Sequence, residues 1–215
     1  MIEGGLKKNS ITLVSGGCGA GKSIFCMNYI YAGAMAGENG LYVTFEETAH
    51  ELKDNMSSFG WDLDGLEQEG KIKIVRIPRE DILRIVKDEY SEIKDYLDEV
   101  KAKRVVIDSI SGIEQGIANE VERRDAVLKL CEWLKEHECT TLITSEAEQE
   151  PLAYSRHETV EFLVDGVIIL YNIRHGNKRL KALEVLKMRG TKHTLGLFPI
   201  RISKGIEVFQ NAEIF

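Results

Sequence analysis

Gly16-Gly17-Cys18-Gly19-Ala20-Gly21-Lys22-Ser23 reads G-x-x-x-x-G-K-S, the spacing of a loop that cradles phosphates. Its flanks fit. Ile11-Thr12-Leu13-Val14 is an apolar, β-branched run of strand type, and Ser23 opens a helical stretch carrying Ile24, Phe25, Met27, Ile30, Tyr31 and Ala34. Glycines allow the backbone to turn its N–H groups inward, where the helix N-terminus adds partial positive charge. The cradle is expected to run from Gly17 through Ile24, with Lys22 reaching the terminal phosphates and the Ser23 hydroxyl taking a magnesium ion. A glycine-rich turn matching by accident would lack both the strand before and the helix after. The stretch implies a nucleoside triphosphate ligand.

At 215 residues the chain suffices for one well-buried α/β domain and is short for two. Acidic residues outnumber basic ones, 35 to 28, which argues against non-specific nucleic-acid binding. No apolar run approaches membrane-spanning length, and the N-terminus lacks the zones of a secretory signal. The four cysteines, Cys18, Cys26, Cys131 and Cys139, form no C-x-x-C pair and no zinc spacing. They read as free thiols in a reducing cytoplasm. Cys18, inside the loop, reads as a small side chain at a variable position, although a thiol near a helix N-terminus is oxidisable.

Strand and helix patterns alternate without linker or repeat, so residues 1–215 are expected to form a single domain. After the first strand and helix, Leu41-Tyr42-Val43-Thr44-Phe45 reads as a buried strand, residues 48–59 as a helix, and Gly60-Trp61 as the start of a turn-rich segment. Lys71 to Ile77 is strand-like. From about Glu80 to Ala102, Ile82, Ile85, Val86, Ile93, Leu97 and Val100 form one apolar helical stripe. Arg104 to Asp108 is a strand, Val121 to His137 a helix, and Thr140 to Ser145 a strand. Val167–Ile173 and Arg179–Arg189, joined by His175-Gly176-Asn177, predict an antiparallel hairpin. The fold class is α/β, a mostly parallel sheet flanked by helices with a C-terminal antiparallel hairpin extension.

Three elements are expected at the loop. Asp108 ends an apolar strand, where an aspartate can help hold magnesium. Glu46 and Glu47 end another strand and suit deprotonation of an attacking water, although acids also favour first helical turns, and the pattern leaves both readings open. Lys187 and Arg189 lie two apart on a strand, on one face, about 7 Å from each other, with Met188 opposite. Parallel cations suit a transferring phosphoryl group, but by pattern alone an ordinary solvated strand face is the simpler reading.

From Asn9 to about Phe209 the chain resembles the RecA-like ATPases of the KaiC family, closest to that family's first, hydrolytic domain. The matching stretches run in the family's order. After the phosphate loop come Val43-Thr44-Phe45-Glu46-Glu47, Ser58-Phe59-Gly60-Trp61-Asp62, Val106-Ile107-Asp108-Ser109 and Thr140 to Glu146. Glu161-Phe162-Leu163-Val164-Asp165-Gly166-Val167 and Leu186-Lys187-Met188-Arg189-Gly190-Thr191-Lys192-His193 follow.

The resemblance implies a RecA-like phosphate-loop core that binds and hydrolyses ATP with Mg2+. It makes Glu46 and Glu47 paired catalytic carboxylates, Glu46 the proton acceptor, and Ser58 a nucleotide contact. It also implies that Lys187, Met188, Arg189, Thr191 and His193 reach a neighbour's ATP, and so a homohexameric ring with ATP between subunits. There are departures. Only Met1-Ile2-Glu3 stands before the Gly4-Gly5 turn, where the family has a leucine-aspartate-rich helix. Ser203-Lys204 replaces a Thr-Asp pair beside the nucleotide, and Glu161-Phe162 replaces a phosphorylated Ser-Thr pair, which removes a self-kinase cycle at those positions.

Two competing readings share this core. A recombinase-like paralogue would hold DNA with two loops, about Ser111–Arg124 and Ser145–Glu161. The second carries Glu146, Glu148, Glu150, Glu158 and Glu161 against Arg156 alone, which would repel phosphates, so nucleic acid is disfavoured. A nucleotide-gated scaffold with an unidentified protein partner is the other. Retention of both carboxylates and both cations favours turnover.

Overall fold

A computed structural model describes residues 1–146 and 160–210. The strands are β1 (Ile11–Gly16), β2 (Gly40–Thr44), β3 (Ile72–Arg76), β4 (Arg104–Asp108), β5 (Thr140–Glu146), β6 (Gly166–His175), β7 (Lys178–Met188), β8 (Leu197–Ile202) and β9 (Ile206–Val208). The helices are α1 (Lys22–Met35), α2 (Ala49–Met56), α3 (Leu63–Gln68), α4 (Ile82–Lys87), α5 (Ser91–Val100), α6 (Ile110–Gly116), α7 (Glu120–Glu136) and α8 (Val160–Leu163). The strands form one sheet in the order β3-β2-β4-β5-β1-β6-β7-β8-β9. From β3 to β6 the pairing is parallel, and from β6 to β9 it is antiparallel.

The near-continuous apolar runs of β1, β2 and β4 have helices to bury against on both faces, as a parallel sheet requires. Alternation splits them into two cores. Leu13, Val43 and Ile107 pack with Ile93, Leu97, Ile113, Leu130 and Leu134 of α5, α6 and α7. Val14, Tyr42 and Val106 pack with Met27, Ile30, Leu52 and Leu63 of α1, α2 and α3.

The expected strands are all present, and the hairpin pairs in register from Gly166↔Met188 to His175↔Lys178 with one bulge. Because Gly16 lies beside Leu170, β6 runs five residues past the end of β1, and the hairpin overhangs the phosphate loop.

Three expectations change. The single helix over Glu80–Ala102 is two helices, broken where Glu89 and Tyr90 take φ of 51° and 62°. No glycine or proline marks the break. Tertiary packing outweighs local propensity there: Tyr90 is buried, and its hydroxyl donates to the Ala126 carbonyl at 2.9 Å. The turn-rich segment after Trp61 holds α3, capped by Asp62, whose carboxylate accepts from Gly65 N–H at 2.9 Å. The loop expected over Ser111–Arg124 is largely α6 and the start of α7, with Ile110 and Ile113 buried. Most of the other expected DNA loop, including Glu148, Glu150, Arg156 and Glu158, lies outside the described residues. Among the described residues, no helix is long and apolar enough to cross a membrane.

Candidate functional site

The phosphate loop leaves β1 at Gly16 and enters α1 at Lys22, and backbone geometry explains two of its glycines. A Cβ on Gly16 would stand 2.4 Å from the Leu170 carbonyl oxygen of the neighbouring strand. Gly21, the residue before α1, has φ of 104° and leaves 2.9 Å between an added Cβ and Ile202. A side chain at either position meets backbone or a left-handed conformation it resists. Lys22 folds over the loop, donating to the Gly16 carbonyl at 2.8 Å and the Gly17 carbonyl at 3.3 Å. Cys18 is exposed.

Asp108 stands at the end of β4 with both carboxylate oxygens engaged. Tyr42 donates to one and Thr144 to the other, each at 2.5 Å. The Tyr42 hydroxyl also interacts with Ser23. Burial, then the Asp108 charge, pushes its ionisation well above the usual tyrosine value, so the phenol remains a donor. The Ser23 hydroxyl and the Asp108 carboxylate, each against the Tyr42 hydroxyl beside the phosphate loop, offer an all-oxygen donor set. That suits Mg2+, which binds through one or two carboxylates and completes its shell with water and phosphate. The described residues contain no larger cluster of metal-binding side chains.

Glu46 and Glu47 follow β2, four and five residues beyond Tyr42. They precede the α2 cap. Thr48 is that cap, in a reciprocal box with Glu51, and Glu51 supplies the first-turn charge. The two glutamates therefore stand in the connection between strand and helix, and serving the helix dipole falls to another residue. Glu47 accepts from Asn55 at 3.4 Å.

Ser58 is exposed in a 3-10 turn, Ser57–Phe59, held beside α1 through Trp61, which stacks on Phe59 and Tyr31 at 4.7 and 5.4 Å. The Ser203-Lys204 turn lies on the same side. Ile206 N–H donates to Asn28 of α1 at 3.2 Å, and Trp61 lies 3.5 Å from where a Cβ on Gly205 would stand.

Lys187, Met188, Arg189, Thr191 and His193 form a second group at the other end of the strands. Met188 pairs with Gly166, which pairs with Thr12, four residues or about 13 Å along β1 from Gly16. Lys187 donates to the Glu161 and Val164 carbonyls at 2.9 and 2.7 Å, and Arg189 to the Phe162 carbonyl at 3.2 Å. Both cations thus meet at the carbonyl end of α8. Met188 is buried with its side chain against Gly166, so it belongs to the core. His193 is bridged to Ile2.

Sequence reasoning missed Tyr42 and Thr144, which hold Asp108. It also missed Asn172 and Lys181 of the hairpin, which donate to the carbonyls of Cys18 and Gly19 in the phosphate loop. Tyr42 read as one more apolar strand residue, and the hairpin's reach over the loop has no local signal.

The family model for the ATPase KaiC matches residues 1–213. The chain is 35% identical to circadian clock protein KaiC3 of Synechocystis sp. over 217 residues, 97% of this chain and 43% of the relative. It is 36% identical to the circadian clock oscillator protein KaiC of Synechococcus elongatus, over 96% of this chain and 41% of the relative. The chain therefore spans about two fifths of the length of these curated relatives. Among solved structures, the KaiC-like protein PH0186 of the hyperthermophilic archaeon Pyrococcus horikoshii matches with a TM-score of 0.85 and 38% identity, over 97% of this chain and 93% of that one.

Proposed function

Because this chain belongs to the KaiC family of RecA-like ATPases, we propose that it binds ATP with Mg2+ and hydrolyses it, as one domain of a ring with shared sites. The observation that carries the reading is the junction of Lys22, Ser23, Tyr42 and Asp108 at the C-terminal edge of the sheet. Loop amides and Lys22 bind the polyphosphate, and Ser23 and Asp108 would hold the magnesium ion, which neutralises phosphate charge when bound. Tyr42 and Thr144 fix the Asp108 carboxylate in place. Glu46, with Glu47 beside it, takes the proton of the attacking water.

The separation of the two residue groups supports a shared site. Lys187 and Arg189 lie too far from their own phosphate loop to reach it, so a nucleotide touching both groups has to sit between two copies, loop side to cation side. Repeating that contact head to tail closes a ring, a hexamer in our reading. Glu161 and Phe162 leave no hydroxyl to phosphorylate, so turnover is hydrolysis without self-phosphorylation at those positions. We place the protein in the cytoplasm, in signalling or regulation through a protein partner.

Replacing Glu46 and Glu47 together by Gln tests the chemistry. The amides preserve size but accept no proton, so ATP stays bound while turnover falls about a hundredfold or more. A fall of less than about tenfold would remove the general-base assignment.

A further inference from the structure

Asn172 and Lys181 face one another across the β6–β7 hairpin, beyond the level at which β1 ends. Asn172 Nδ2 donates to the Cys18 carbonyl at 3.3 Å, and Lys181 Nζ donates to the Gly19 carbonyl. We propose that this cross-strand pair is a positioning clamp that sets the peptide orientation of the phosphate loop for polyphosphate binding. The inference deepens the nucleotide-site reading above and rests on it.

In a planar trans peptide the C=O and the following N–H point in opposite directions. Drawing the Cys18 carbonyl toward Asn172 therefore turns the Gly19 N–H to the other side of the loop, the direction in which a nest of amides faces an anion. Drawing the Gly19 carbonyl toward Lys181 sets the next peptide as well: Ala20 N–H donates to the Gly17 carbonyl at 3.2 Å, closing the turn that holds Gly19 in place.

A glycine-rich loop needs such fixing. Gly19 sits at φ of 70°, and glycine peptides have more orientations to lose than any others. The clamp supplies the constraint from the sheet, because the two donors lie on paired strands with Ala182 and Leu183 buried just beyond Lys181. Lys181 is half-buried, and burial first, then Arg179, lowers its pKa, as expected for an ammonium pressed against the loop.

The test measures affinity of the protein for a fluorescent ADP analogue and, by competition, for inorganic tripolyphosphate, which has no base or sugar. Lys181→Met removes one donor. Asn172→Asp keeps the shape but faces the Cys18 carbonyl with an acceptor. Each is expected to weaken both ligands about tenfold, as for loss of one charged or oriented hydrogen bond. Lys181→Arg should recover most of that loss, and thermal midpoints without nucleotide should stay at the wild-type value. Affinities within about twofold of wild type in both variants would overturn the clamp. So would a loss that Arg fails to restore and that follows a fall in thermal midpoint. Lys22→Ala separates the two levels: if it binds nucleotide as tightly as wild type, the nucleotide-site reading itself fails, whatever Lys181 does.

Discussion

At the scale of single residues, the candidate site depends on how its donors and acceptors are held. Asp108 has to be an acceptor, and both donors that hold it are fixed, Tyr42 by burial in the strand beside it and Thr144 from β5. The thiols divide in the same physical way. Burial pushes Cys131 up to about 12 and Cys139 to about 11, and raises Cys26 strongly, with the Asp108 charge adding to it. Such thiols form almost no thiolate at neutral pH and are shielded besides. Cys18 is the exposed one. We therefore expect a maleimide at neutral pH to label Cys18 alone in the native protein, and saturating ATP to slow that labelling about tenfold or more, since phosphates fill the space the loop encloses. Peptide mass spectrometry reads both outcomes. Equal rates with and without ATP would contradict the placement of the phosphates. The phosphate loop was legible because all its chemistry lies in eight consecutive residues. The Asp108 cradle and the hairpin clamp were not, because Thr144 stands 36 residues from Asp108 and Lys181 stands 162 from Gly19. Only the fold brings them together.

At the scale of elements, Asp165 ties three parts of the fold. Its carboxylate accepts from Ile11 N–H at the start of β1 at 3.0 Å, pairs with Lys135 of α7 at 3.0 Å, and lies near Arg189 after β7. Burial alone would raise its pKa, but the Ile11 hydrogen bond and the Lys135 ammonium outweigh it and hold the carboxyl below the ordinary value. A group whose folded pKa is lowered stabilises fully above its unfolded pKa and loses that contribution as pH falls through the folded one. Wild type should therefore melt above Asp165→Asn at pH 7, with the gap closing as pH drops below about 4. A constant gap down to about pH 2 would show that the charge contributes nothing. Elements with strong periodicity, such as β1, β4 and α7, were legible in the sequence. The break at Glu89-Tyr90 was not, because Tyr90 earns its left-handed backbone through burial and its bond to Ala126, 36 residues on. Nor was α3, whose Gly65 weakens the helical pattern while Asp62 caps it.

At the scale of the whole molecule, strand direction sorts the candidate site residues. The phosphate loop, Asp108 and the glutamate pair lie at the C-terminal edge of the parallel strands, while Lys187 near the end of β7 and Arg189 just after it lie at the opposite edge, and the other end of β7 clamps the loop. From spacing alone the two cations were an ordinary strand face, and only the register shows how far they stand from their own loop. Our proposal is that they serve a neighbour's nucleotide. Its most direct test mixes two inactive variants. Lys22→Ala subunits carry intact cations beside disabled sites, and Arg189→Ala subunits carry intact sites without their own useful cation. In a head-to-tail ring formed from equal amounts, about a quarter of interfaces join an intact site to an intact cation. With subunit exchange verified by native mass, ATPase activity should reappear on mixing, up to a modest fraction of wild type. Verified exchange with activity no greater than the sum of the two variants would contradict the shared site.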